Sequence, residues 1–174
     1  GIGSAISTIV GQNMGARQQD RADKAYHYAL RMGALFLLFF GLILSRRFIS
    51  QAMVSFFSSD ARVIPLATDF LSLMAFWCWS NAFYNVTQGL FQGSGHTMIT
   101  MIVDASRIWI FRLLTLWICS NVLNMGVESV WYSVVISNGT SAVILYALYW
   151  TGIWKKSTIK IEKSGITLLI NKNS

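Results

Sequence analysis

Trp77, Asn81, Tyr84, Asn85, Gln88 and Gln92 follow one another at spacings of three and four, so they share one face of a helix. Amides both donate and accept hydrogen bonds, and indole and phenol rings stack on flat or cationic solutes. Such a face can hold a varied organic solute without reacting with it. Asp104, Arg107 and Arg112 add charge inside an otherwise apolar stretch. Asp104 and Arg107, three apart, can pair, whereas no partner lies within a turn of Arg112. Nothing resembles a nucleophile beside a base, and His27 and His96 are isolated. The chemistry on offer is binding and charge, not catalysis, and the chain does not read as an enzyme.

These residues sit in elements made for a bilayer. The run 129–154 is 26 residues without a charge, enough at about 1.5 Å per residue to cross a hydrocarbon core of roughly 30 Å. Hydrophobic residues make up 54% of the chain and charged residues 12%. The net charge of +7 collects at segment ends, where the positive-inside rule accounts for it better than nucleic-acid binding does. Cys78 and Cys119 lie in apolar segments without metal-ligand spacing, so no metal site or bound cofactor is expected. Amides at membrane depth are costly against lipid and must face other helices or water. Two readings of the stripe follow: hydrogen-bonded glue between helices, or the wall of a transport cavity.

The pattern predicts an all-α bundle: a partial helix 1–14, spans at about 21–45, 61–92, 97–122 and 128–154, and a basic tail 155–174. The chain opens in apolar sequence at Gly1 and reads as the C-terminal part of a larger protein. Ala29, Gly33, Gly41 and Ser45 form a small-residue packing stripe, as do Ser133, Ser137 and Ser141. The segment 46–59 suits a short interfacial helix. Asp60 can cap the long helix after it, and Asp69 can snorkel or line an entrance. Asn85-Val86-Thr87 and Asn138-Gly139-Thr140 match the glycosylation pattern but lie at membrane depth. Nine Lys/Arg (Arg17, Arg21, Lys24, Arg31, Lys155, Lys156, Lys160, Lys163, Lys172) face three (Arg46, Arg47, Arg62). That asymmetry puts the first connector and the C-terminus in the cytoplasm.

Four motifs in order resemble the multidrug and toxic compound extrusion (MATE) family. Val10-Gly11-Gln12-Asn13-Met14-Gly15-Ala16 with Asp20-Arg21-Ala22 is similar to that family's signature after helix eight. Phe91-Gln92-Gly93-Ser94-Gly95-His96-Thr97 resembles the turn between helices ten and eleven. Arg107-Ile108-Trp109-Ile110-Phe111-Arg112 resembles the helix-eleven motif. Gly126-Val127-Glu128-Ser129-Val130-Trp131, with Ile136-Ser137-Asn138, is similar to the start of helix twelve.

The resemblance implies an integral membrane protein of the plasma membrane with twelve helices in two six-helix lobes, this chain supplying the end of helix eight through helix twelve. It implies secondary antiport, a proton or sodium ion entering as an organic, often cationic, solute leaves. The partners would be small organic substrates, the bilayer and the N-terminal lobe of the same protein. Trp77, Asn81, Tyr84, Asn85 and Gln88 would line the cavity. Asn81 stands at about the register where some members carry a cation-binding carboxylate. An amide cannot supply that charge, so coupling would rest on a carboxylate in the N-terminal lobe. His96 replaces the turn's usual acidic residue. A lipid-linked oligosaccharide flippase of the same superfamily, for which only Arg107 and Arg112 argue, and a non-transporting membrane subunit are the alternatives.

Overall fold

The computed structural model describes residues 1–156, so the tail beyond, including its proposed docking segment 166–170, lies outside the described residues. Within them the chain is an all-helical bundle with no strand. Its elements are α1 (Ile2–Gly15), α2 (Gln19–Leu44), α3 (Arg47–Phe57), α4 (Val63–Trp77), α5 (Ser80–Gly93), α6 (Thr97–Ser106), a π-helical stretch (Arg107–Arg112), α7 (Leu113–Asn121), α8 (Glu128–Trp150) and a 3₁₀ turn (Ile153–Lys155). By length and composition α2 and α8 each suffice to cross a membrane, and α4 and α5 suffice only together, as a bent pair. From Thr97 to Asn121 the backbone stays helical through the π-helical stretch, with φ/ψ of −58°/−45° at Arg107 and −69°/−48° at Arg112.

One expectation is corrected. The single helix expected over 61–92 is two helices, bent by 52° between Trp77 and Ser80. Neither proline nor glycine causes the bend. Three bonds of i→i+3 type tighten the joint: Cys78 N–H to Ala75 O (3.3 Å), Asn81 N–H to Cys78 O (3.0 Å) and Ala82 N–H to Trp79 O (3.1 Å). The Ser80 hydroxyl donates to Trp77 O at 2.9 Å, a back-bond of the kind that bends helices. Helix α2 holds the joint from outside, because the Cys78 thiol donates to Leu37 O at 3.1 Å. A Cβ on Gly41 would lie 2.4 Å from Ala75 O and 2.8 Å from Cys78 Sγ. The small-residue stripe of α2 therefore packs, as its spacing predicted, against the bend (Gly41) and against Ala82 of α5 (Gly33).

The tightest contact joins α1 to α5, which run parallel. A Cβ on Gly89 would lie 2.3 Å from Gly3 O, one on Gly93 2.4 Å from Ser7 O, and one on Gly3 2.7 Å from Asn85 O. These are backbone-to-backbone approaches, the form of packing that small residues permit in lipid. Around them Ile6, Val10, Met14, Val86, Leu90, Phe91 and Leu145 are buried. At one end of the bundle Tyr26 stacks on Tyr149 (4.6 Å between centroids), which stacks on the buried Trp154. Tyr149 donates to Asp23 Oδ1 at 2.7 Å, and Gln19 Nε2 to Lys155 O at 3.0 Å. His27 also joins this cluster, edge-on to both tyrosines. The connector after α1 and the end of α8 thus share one end of the bundle. At the other, α3 leaves Phe48, Phe56 and Phe57 exposed, and its Arg47 pairs with Asp69 at 3.3 Å. Asp60 Oδ1 accepts the Arg62 N–H just before α4.

Candidate functional site

Helix α5 presents Asn81, Tyr84, Asn85 and Gln88 within an arc of about 100°. Tyr84 lies at the buried edge of that arc and Asn85 at the exposed edge, with Asn81 and Gln88 half-buried between them. The buried edge meets the intramembrane charges. Gln88 Nε2 donates to Asp104 Oδ2 at 2.7 Å, and the Arg107 guanidinium sits 4.7 Å from the Tyr84 ring centre. Asp104 and Arg107 approach each other, as their spacing predicted, but only to 3.7 Å between Oδ1 and Nη2. That is about an ångström longer than a close charge-assisted hydrogen bond. Arg107 instead donates from Nη1 to Asn138 Oδ1 of α8 at 3.1 Å. The result is one polar cluster linking α5, α6, the π-helical stretch and α8.

Several atoms of this cluster are buried without a hydrogen-bond partner among the described residues: Tyr84 Oη, Asp104 Oδ1 and Arg107 Nε, with Arg112 Nε at the far end of the same stretch. Leaving such groups unpaired costs about 1–3 kcal/mol each. Polar groups from outside the described chain, whether water, solute or another segment, are what this arrangement can accept. No group of three or more His, Cys, Asp or Glu suited to a metal occurs among the described residues.

Trp77 does not share the face of the other four. The bend turns it away with Trp79, on which it stacks at 6.3 Å, into an apolar pocket of about 300 Å³ completed by Ser80, Phe83, Gly139, Ala142, Val143 and Tyr146. The spacing rule that grouped Trp77 with Asn81 assumes an unbroken helix, and the 52° bend between them removes that assumption. At the open edge of α5, the Asn85 amide donates to Asn81 O of its own helix at 2.7 Å. Gln92 is exposed at the foot of the helix.

Asn138 is the residue that sequence reasoning passed over as part of an accidental glycosylation pattern. Its signal was present: an amide in the middle of an uncharged span, beside the small-residue stripe. That stripe (Ser133, Ser137 and Ser141) is buried, each hydroxyl bonded to a carbonyl of its own helix.

The fold is that of a solved transporter, "Inward-facing conformation of a multidrug resistance MATE family transporter of the MOP superfamily", at a TM-score of 0.74 over 90% of this chain and 36% of that one, with 20% identity. In sequence the chain is similar to the probable multidrug resistance protein NorM of Oceanobacillus iheyensis, 26% identical over 84% of this chain and 32% of that protein. It is similar also to the probable multidrug resistance protein NorM of Mannheimia succiniciproducens, 26% identical over 98% of this chain and 35% of that protein. The chain thus spans about a third of the length of the curated relatives it matches. The MatE family profile matches residues 1–118, which takes in every residue of the polar cluster except Asn138. With helices, motifs and profile in agreement, the chain belongs to the MatE family, a family of membrane transporters.

Proposed function

We propose that this chain is part of a secondary antiporter that exports organic, often cationic, solutes from the cytoplasm in exchange for protons or sodium ions. The multidrug-resistance relatives support the direction and the broad substrate class. One observation carries the local reading. Exposed Asn85, with half-buried Asn81 beside it, forms an open amide edge on a helix whose other edge is buried against an intramembrane ion pair. Exposed amides at membrane depth are expensive against lipid, so this edge faces a water-filled cavity or the rest of the protein. Helix α5 supplies that wall and the aromatic pocket at the bend lies beside it.

Coupling then belongs to a carboxylate in the remainder of the protein, since Asp104 is engaged by Gln88 and Arg107 and Asn81 is uncharged. The excess of Lys and Arg around the connector and tail supports a cytoplasmic side for both, and their shared end of the bundle agrees with a common side. The test is Asn81→Leu and Asn85→Leu in the full-length protein, with efflux of a fluorescent organic cation and membrane abundance read together. Lost efflux at unchanged abundance supports the cavity wall. Lost abundance shows that the amides hold helices together and refutes it.

A further inference from the structure

The six-residue π-helical stretch Arg107–Arg112 begins and ends on an arginine. In an α-helix, residues five apart point about 140° away from each other. Hydrogen bonding from i to i+5 instead brings them back towards one side. The local winding therefore puts positions 107 and 112 on one side of the helix, where regular winding would separate them. Both carry an Nε that is buried and lacks a partner among the described residues. Among the described residues Arg112 makes no ion pair, and Arg107 meets only Asp104, 3.7 Å away with its second oxygen committed to Gln88. Asp104, Arg107 and Arg112 sum to a charge of +1 in the middle of an apolar span. A charge at such a depth is held by a counter-charge, backbone carbonyls or water, and of these an oxyanion answers the forked guanidinium most fully.

We infer that the π-helical stretch is an oxyanion-binding site, in which Arg107 and Arg112 hold a phosphate-type group and the Tyr84 hydroxyl, buried and unpartnered, is a further donor. The planar fork of arginine suits such groups. A phospholipid headgroup and a free inorganic anion share this chemistry. The site goes beyond the efflux reading and does not depend on it, because binding to a protein that transports nothing would still be observed.

The experiment is thermal unfolding of the full-length protein in a non-ionic detergent. It is titrated with inorganic phosphate or with a short-chain phosphatidylglycerol, against sodium chloride at matched ionic strength. Stabilisation by phosphate is expected if the group is soluble, and by phosphatidylglycerol alone if a lipid supplies it. In Arg112→Gln the apparent affinity should fall by at least about tenfold, the equivalent of one charged hydrogen bond. Arg112→Lys, which keeps the charge and the fold but loses the fork, should lie between the two. Asp104→Asn, which removes the competing charge, should bind more tightly. Absence of any anion-specific shift in the unmodified protein overturns the inference and assigns the arginines to an acidic side chain elsewhere in the protein. An anion shift that survives unchanged in both Arg112 variants overturns it too.

Discussion

Replacing Gly89 with alanine tests whether α1 and α5 meet backbone to backbone. The new Cβ would lie 2.3 Å from Gly3 O, and restoring ordinary van der Waals contact requires the helices to part by about 1 Å. The obstructing atom is a main-chain carbonyl, so no side chain can rotate out of the way. The cost therefore falls at the upper end of overpacking, about 3 kcal/mol. Alanine is the better helix former by about 1 kcal/mol, leaving a net loss of about 2 kcal/mol. Gly139→Ala is the matched control, because nothing lies within 4 Å of its added Cβ. Only the helix-propensity gain of up to about 1 kcal/mol remains there. In thermal unfolding of the full-length protein, followed by tryptophan fluorescence, the two variants should move in opposite directions. Gly93→Ala, 2.4 Å from Ser7 O, should behave like Gly89→Ala. An unchanged or raised midpoint for both Gly89→Ala and Gly93→Ala would refute the close approach of α1 and α5.

Gln88→Leu removes the donor at 2.7 Å from Asp104 and should destabilise the protein by about 1.5 kcal/mol or more. A double-mutant cycle with Asp104→Asn should show coupling, and strictly additive losses would mean the two side chains do not interact. Tyr149→Phe deletes the hydroxyl that bonds Asp23 and should cost about 1 kcal/mol, measured by denaturant unfolding; no loss would mean water replaces it fully. A tryptophan placed at Phe56, exposed on α3, should be quenched by spin labels near the headgroups more than by labels deep in the acyl chains, and the reverse order would remove α3 from the interface. Liposomes holding this chain alone should show no ion-coupled solute uptake, since one wall cannot alternate access between two sides; coupled uptake would show that the chain suffices.

The sequence was most legible where local chemistry acts alone. Gly93-Ser94-Gly95 stops α5, the run after Arg31 carries α2 through lipid, and Asp104 and Arg107 meet because they are a turn apart. What it hid depends on distant partners. Cys78-Trp79-Ser80 contains no helix breaker, and the bend there is held by Leu37 and Gly41, some forty residues earlier in the chain. Asn138 lies 31 residues from Arg107, so its role appears only when α8 is laid beside the π-helical stretch. Gly3 and Gly89 looked unremarkable because neither has meaning without the other. For the winding of Arg107–Arg112 itself, the run of large apolar residues between the arginines offers no physical account.

These contacts also decide which part of the lobe can move. Away from its amide edge, helix α5 is braced by four different kinds of contact. Its glycines meet the α1 backbone, and Thr87 Oγ1 pairs with Tyr26 of α2 at 3.0 Å. Gln88 reaches Asp104 of α6, and Phe83 lies edge-on to Tyr146 of α8. Shifting α5 alone would break all four at once, which is far costlier than moving the group as one body. The amide edge and the oxyanion site are therefore mounted on a rigid unit of α1, α2, α5, α6, the π-helical stretch and α8, and on the proposed antiport reading any change of access must arise where that unit ends. One such limit is the Cys78–Trp79 joint, where α4 departs at 52°; another is the face towards the rest of the protein. If the amide edge binds solutes as proposed, it gains from such a mounting, because the groups that bind would hold their geometry through any rocking of the lobes.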